Sequence, residues 1–244
     1  MRLLVDVGNT QVKYVFQAIE DTSALSDIVY LDYQSFQAQL SQEKFSEVSA
    51  VILANVHGNA VHDTVEKWAT LNNIAFVQVH STAKAFGVTS SYLQPERLGV
   101  DRWLAMIGAK QIYPQQNLLI IDAGTATTVD VLDASGQHCG GWIMPGVQTL
   151  FDSLLTRTSK IIATPKTTPS LSFGMNSSHC LNHGSWAMTI GAIKEAIIQA
   201  NSQLILDKVL ITGGNGQAIV NLMTDTCQLE PKLVFHGLSC FQVS

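Results

Sequence analysis

Leu118-Leu119-Ile120-Ile121 runs into Asp122, Ala123 and Gly124, then Thr125, Ala126, Thr127 and Thr128. Residues of those types, in that order, can hold an anion together with its counter-ion. Successive main-chain amides at a turn, flanked by threonine hydroxyls, form a concave anion cradle. Gly124 lets the backbone turn sharply and lets another group approach closely. An aspartate at the strand's end cannot touch a phosphate directly, but it can hold the cation, or the cation's water, that travels with one. The same residues also suit a hairpin turn whose Asp and Thr merely satisfy local amides.

A second copy of the pattern lies near the start. Leu3-Leu4-Val5-Asp6-Val7-Gly8-Asn9-Thr10 repeats the order aliphatics, acid, small residue, glycine, threonine, about 116 residues earlier in a chain of 244. A repeat at close to half the chain length points to a duplicated unit. Two halves that each present a D-x-G loop are expected to face each other across a central cleft, each loop holding part of one polyphosphate. That arrangement resembles the actin and sugar-kinase superfamily of phosphotransferases and ATPases. Lys13 stands three residues beyond Thr10, within reach of an anion in the loop, although a solvated strand lysine is the plainer reading.

Between the two loops lies Tyr92-Leu93-Gln94-Pro95-Glu96-Arg97-Leu98-Gly99-Val100-Asp101-Arg102. Asp101 precedes a helical pattern, where aspartate is a favoured N-cap. It also suits the acceptor of a substrate hydroxyl proton, with Arg102 on an anionic or carbonyl oxygen of that substrate. Both roles are compatible, because a cap position holds a carboxylate rigidly.

The elements that must position these groups read as an α/β chain. Buried strands are expected at 3–7, 49–56, 118–121 and 209–212, with returning strands at 13–17 and 76–79 and a further strand over 27–31. Helices are expected over 60–71, from Arg102 or Trp103 to about Tyr113, over 147–155, from Ser177 to Gln199 and over 217–223. Segments 88–95 and 163–172 read as loops. Gln115-Gln116-Asn117 is the expected boundary, giving an N-terminal domain of 1–115 and a C-terminal domain of 116–244. Cys139-Gly140-Gly141 through Pro145-Gly146 suits either close approach to a ligand or a bend in a sheet, and Gly213-Gly214-Asn215-Gly216 is a glycine loop able to approach a nucleoside. Gly184, Ala187 and Gly191 leave small surfaces on one helix for core packing or for another subunit.

Composition narrows the class. Hydrophobic residues make up 46% and charged residues 14%, the balance of a folded enzyme-like globule. A net charge of −5 without a basic run argues against nucleic acid or an anionic membrane as partner. No apolar stretch reaches the roughly 18 residues of a membrane span, and the first strand begins at once, leaving no room for a signal peptide. A cytoplasmic enzyme is expected. Cys139, Cys180, Cys227 and Cys240 show no zinc or redox spacing. His179 and His183 would face one metal from a helix, but no third ligand lies near them in sequence, so no metal site is assigned.

The set D-x-G-N-T-x-x-K at 6–13, G-x-D-R at 99–102, D-x-G-T-A at 122–126 and G-G-x-I-x-P-G at 140–146 is similar to type III pantothenate kinase, in order and spacing over nearly the whole chain. The resemblance implies two ribonuclease-H-like (actin-like) α/β domains. It implies ATP-dependent phosphorylation of pantothenate to 4′-phosphopantothenate, the first step of coenzyme A synthesis. A homodimer, a monovalent cation (potassium or ammonium) and magnesium travelling with ATP come with it. Carried onto this chain, Asp6, Val7, Gly8, Asn9, Thr10, Gln11, Val12 and Lys13 would hold the ATP phosphates, Asp6 orienting Mg2+ through water. Asp101 would be the proton acceptor. Tyr92, Gly99, Val100, Asp101 and Arg102 would line the pantothenate pocket, Asp122 would bind the monovalent cation and Thr125 would contact ATP. Where the family has a threonine after G-x-N for a substrate contact near the dimer interface, this chain has Ser177, which keeps the hydroxyl and loses the methyl. The alternatives are a superfamily kinase acting on another small hydroxyl substrate, and a non-catalytic nucleotide-sensing relative.

Overall fold

The structure, a computed structural model, describes residues 1–19, 24–40, 42, 45–158, 161–165, 168–223 and 227–243. Contacts divide the chain into two compact units, Met1–Tyr113 with Lys232–Ser244, and Pro114–Pro231.

In the first unit the aliphatic run forms β1 (Arg2–Val7), buried along its whole length. Gly8 donates its amide to the Gln11 carbonyl at 3.1 Å, closing a turn into the antiparallel β2 (Val12–Gln17) and setting Asp6 opposite Lys13. β3 (Val29–Leu31) pairs outside β2, while β4 (Ala50–Asn55) and β5 (Ala75–Gln78) add in parallel on the other side. The order is β3-β2-β1-β4-β5. Helices α1 (Tyr33–Gln39) and α2 (Asn59–Leu71) contribute Phe36, Val61 and Val65 to a core in which Tyr14 and Phe45 meet at 5.6 Å.

The second unit repeats this topology. β8 (Leu118–Ala123) is its acid-tipped central strand, with β9 (Ala126–Leu132) and β10 (His138–Pro145) antiparallel on one side. On the other side β11 (Lys208–Thr212) and β12 (Gln228–Leu229) run parallel, giving β10-β9-β8-β11-β12. α4 (Val147–Arg157), α5 (Ser177–Gln203) and α6 (Gly216–Met223) complete it, and Trp186, Ile190 and Ile193 of α5 are buried in its core as their spacing predicts. The sequence repeat is therefore a repeat of strand order, and the α/β, two-sheet actin-like class holds.

Two local expectations change, and two readings left open are narrowed. The segment expected as a loop from Val88 begins with a strand: β6 (Lys84–Ala85) and β7 (Val88–Thr89) form a short hairpin, its turn made by Phe86 and Gly87 at φ of 47° and 80°. α3 (Val100–Ile112) starts two residues before Arg102, because the Gly99 carbonyl accepts the first helical bond from Trp103 at 3.0 Å. The Gly140 region is a β-bulge with Gly140 at φ 111°. On α5, a Cβ at Gly184 or Gly191 would meet nothing within 4 Å, so neither glycine serves core packing. Within 163–172, residues 166 and 167 lie outside the described residues, and the remainder carries neither helix nor strand.

The far C-terminus groups with the first unit rather than with 116–231. α7 (Leu233–Ser239) lies against α3 through two glycines. A Cβ at Gly108 would collide with the Leu233 carbonyl, and one at Gly237 with the Leu104 carbonyl. Buried Arg2 reinforces this packing by donating to the carbonyls of Ser239 and Phe241.

Candidate active site

In the first unit, Asp6 sits at the C-terminal end of β1 and is 5% exposed. Its Oδ2 lies 3.3 Å from Lys13 Nζ, so the antiparallel register delivers the lysine to the acid rather than leaving it on a solvated face. Val7 and Val12 are fully buried and paired across the same hairpin, which leaves only their main chain for a ligand. Asn9 and Thr10 are exposed at the turn. This turn lies at the carboxyl end of the parallel pair β1 and β4, the edge at which open α/β sheets bind ligands.

Asp101 is not the N-cap of α3. Gly99 holds that place, and Asp101 is the second helical residue, where a carboxylate faces the helix's positive end. Its Oδ1 accepts the Arg102 amide at 2.8 Å and folds over Gly99, whose hypothetical Cβ would stand 2.6 Å from it. Glycine at 99 thus makes room for the acid two residues on. Arg102 is 4% exposed and donates from Nη1 to the Tyr92 hydroxyl at 2.8 Å, its guanidinium carbon 5.7 Å from that ring's centre. The structure accordingly brings together Tyr92 with Arg102, and Gly99 with Asp101. Gly99 and Val100 also line an open cavity of about 340 Å³, with Asn55, His80 and Leu98.

In the second unit, three backbone segments converge on the end of β8. Gly213, at φ 86°, has no room for a Cβ: it would collide with Asp122 Oδ1 and stand 2.7 Å from the Ala123 main chain. Asn215 donates its amide to the Ala123 carbonyl at 2.9 Å. The Thr125 carbonyl accepts from the Gly146 amide at 3.0 Å and from Thr149 Oγ1 at 2.7 Å, tying the D-x-G turn to the start of α4. Gly146 is obligatory here, since its Cβ would strike the Gly124 carbonyl. Ser177 is the first residue of α5, just after the cap Asn176, which accepts from the His179 amide at 2.9 Å. A cavity of about 190 Å³ between β10 and α5, lined by Cys139, Gly140, Gly141, Trp142 and Gln199, takes in the start of the Gly-Gly stretch but none of the residues expected to hold ATP, pantothenate or cations.

Sequence reasoning took Gly213 as one residue of a glycine loop and did not connect it with Asp122; the register of β11 against β8 makes that connection. It also passed over Tyr33, whose hydroxyl donates to the Gly8 carbonyl at 2.7 Å. No local pattern marks that tyrosine, beyond its place directly after the helix-capping Asp32.

A family model described as type III pantothenate kinase matches residues 2–199. A type III pantothenate kinase of Colwellia psychrerythraea is 41% identical over 248 residues, covering 98% of this chain and 98% of that protein. Another from Pseudoalteromonas translucida is 31% identical over 239 residues, covering 98% and 95%. Among solved structures, a conserved Campylobacter jejuni protein assigned as a Baf family transcriptional activator superposes with a TM-score of 0.63 at 22% identity, over 98% of this chain and 96% of that one. The ethanolamine utilization protein EutJ from Carboxydothermus hydrogenoformans gives 0.52 at 12% identity, over 98% and 89%. Likenesses at such identities carry the fold alone.

Proposed function

Because the chain belongs to the type III pantothenate kinase family, and so phosphorylates pantothenate with ATP at the entry to coenzyme A synthesis, we propose that Asp101 is the residue that takes the pantothenyl hydroxyl proton. The observation that carries this is its carboxylate, fixed over Gly99 at the start of α3 by the Arg102 amide. Tyr92, Gly99, Val100 and Arg102 line the pantothenate pocket in this reading, and Ser177 is assigned the hydroxyl contact with substrate near the dimer interface.

A magnitude sets the timing of the proton transfer. Carboxylates of reference pKa about 4 are roughly 12 pK units weaker as bases than hydroxide-like oxygens, taking water's 15.7 as a guide. Full deprotonation ahead of transfer would cost on the order of 16 kcal/mol. Phosphoryl transfer through a loose transition state does not need it. Asp101 therefore aligns the hydroxyl and accepts its proton late, while charge at the phosphates is met by main-chain amides of the turn beyond Gly8 and by Lys13.

Asp6 is the carboxylate we assign to Mg2+, through water, since Mg2+ in such sites needs one or two carboxylates beside the substrate's phosphates. Asp122 is assigned the monovalent cation. The observation behind it is that its carboxylate lies against the Gly213 and Ala123 main chain, in a space that a Cβ would fill. Bound there, potassium or ammonium would supply positive charge near phosphate oxygens. Thr125 is assigned an ATP contact.

A cytoplasmic homodimer completes the proposal. Phe173 and Met175 are fully exposed just before α5 and Met188 is 62% exposed on it, surfaces that a second copy would cover. None of the described helices is long and apolar enough to cross a membrane. The deciding test is formation of 4′-phosphopantothenate by purified protein with ATP and pantothenate, in potassium and then in sodium. Turnover in potassium that is lost in sodium supports the full assignment. Nucleotide binding without turnover in either salt would sink the kinase mechanism. Light scattering after gel filtration tests the dimer.

A further inference from the structure

Tyr33 opens α1, and its hydroxyl donates a 2.7 Å hydrogen bond to the carbonyl oxygen of Gly8. Its ring lies almost flat on His57, with centroids 4.4 Å apart and planes 12° from parallel. His57 is itself held by its amide, which donates to Asn55 Oδ1 at 2.9 Å, while Asn55 Nδ2 donates to the Gly58 carbonyl at 2.7 Å. One phenol ring thus ties together the end of β4, the start of α1 and the turn between β1 and β2.

The bond to Gly8 matters because a trans peptide is planar, with its carbonyl and its following N–H pointing opposite ways. Fixing the Gly8 oxygen against Tyr33 aims the Asn9 amide away from Tyr33. Glycine is the residue at which a peptide plane rotates most freely, so this is the peptide of the turn most in need of an anchor. A phenol's ordinary pKa of about 10 already keeps this hydroxyl a donor at neutral pH, and burial shifts it in the same direction.

We propose that Tyr33, braced by His57, is a positioning residue that holds the Gly8–Asn9 peptide so that the Asn9 amide points at phosphate oxygens of the nucleoside triphosphate. This rests on the reading of residues 6–13 as the phosphate loop. Neither residue is assigned a contact with substrate.

The test is steady-state kinetics with each substrate varied in turn, on the wild type, Tyr33→Phe, His57→Ala and Lys13→Ala. Tyr33→Phe keeps the ring and removes the hydroxyl. It should raise KM for ATP about 3- to 10-fold, the size of one lost hydrogen bond, with kcat and KM for pantothenate nearly unchanged. His57→Ala should move KM for ATP the same way by less. An unchanged KM for ATP in Tyr33→Phe, while Lys13→Ala raises it, overturns the Tyr33 inference alone. Equal rises for both substrates together with a lowered melting temperature would make Tyr33 merely structural and also overturn it. Lys13→Ala without effect on ATP would overturn the phosphate-loop reading, and this inference with it.

Discussion

Lys13 Nζ stands 3.3 Å from Asp6 Oδ2, directly across the β1–β2 hairpin. The strand register, not chance proximity, pairs a cation with the acid at the mouth of the first D-x-G turn. A ligand phosphate would meet both signs of charge, the ammonium by contact and the carboxylate through a metal or water.

Lys13→Met should therefore weaken ATP use strongly. A charged hydrogen bond to phosphate is lost, which predicts a roughly 10- to 100-fold rise in KM for ATP. The pair is largely buried, with side-chain exposures of 22% for Lys13 and 7% for Asp6, so removing the ammonium leaves a buried carboxylate without its cation and the melting temperature should fall measurably. Initial rates and a thermal scan check both parts.

Asp101→Asn keeps the shape and the acceptor oxygen for the Arg102 amide while removing the base. We expect kcat to fall about 100- to 10,000-fold with both Michaelis constants within a few-fold of wild type. Weakened binding of ATP and pantothenate, with the rate per bound complex preserved, would show that the carboxylate serves only the helix start.

Gly99→Ala tests the placement of that acid. The added Cβ would stand 2.6 Å from Asp101 Oδ1 and must push it aside. A side-chain end can yield, so the folding cost should stay within about 1 kcal/mol. Turnover should fall while ATP affinity, measured by calorimetry, stays near wild type.

Gly213→Ala should fail in two ways at once. Its φ of 86° is unfavourable for a residue with a Cβ, and that Cβ meets Asp122 and the Ala123 main chain. Left-handed strain alone costs about 1–2 kcal/mol, so chemical denaturation should show at least that loss. The potassium needed for half-maximal activity should rise. Asp122→Asn should retain the fold and lose the difference between potassium and sodium.

Asp32 links pH to the start of α1. The Ser35 amide, and then its hydroxyl, hold the Asp32 carboxyl below the usual aspartate value. A depressed folded-state pKa means that its contribution is present above the unfolded value near 4 and fades as pH falls through the folded one. Asp32→Ala should flatten the acid limb of the stability curve below about pH 4 and leave the neutral-to-basic limb unchanged. Denaturant titrations at a series of pH values check this.

Local pattern alone determined a good deal. Aliphatic runs of three residues before Asp6 and four before Asp122 marked the central strands, because strands covered on both faces exclude polar side chains. Acid, glycine and threonine at their ends marked both turns, and the repeat of that order announced two sheets of like topology. The G-x-D-R stretch placed an acid at a helix start, although the helix begins at Val100, capped by Gly99, and not beyond Asp101. Packing decided the remainder. Tyr33 reaches Gly8 only because α1 returns alongside the hairpin, and Gly213 reaches Asp122 only through the register of β11 on β8. Residues 233–239 join the first unit because two glycines let α7 and α3 come into backbone contact. Such contacts join residues far apart in the chain, where no short-range periodicity records the partner; only the folded arrangement of elements brings those atoms within reach of one another.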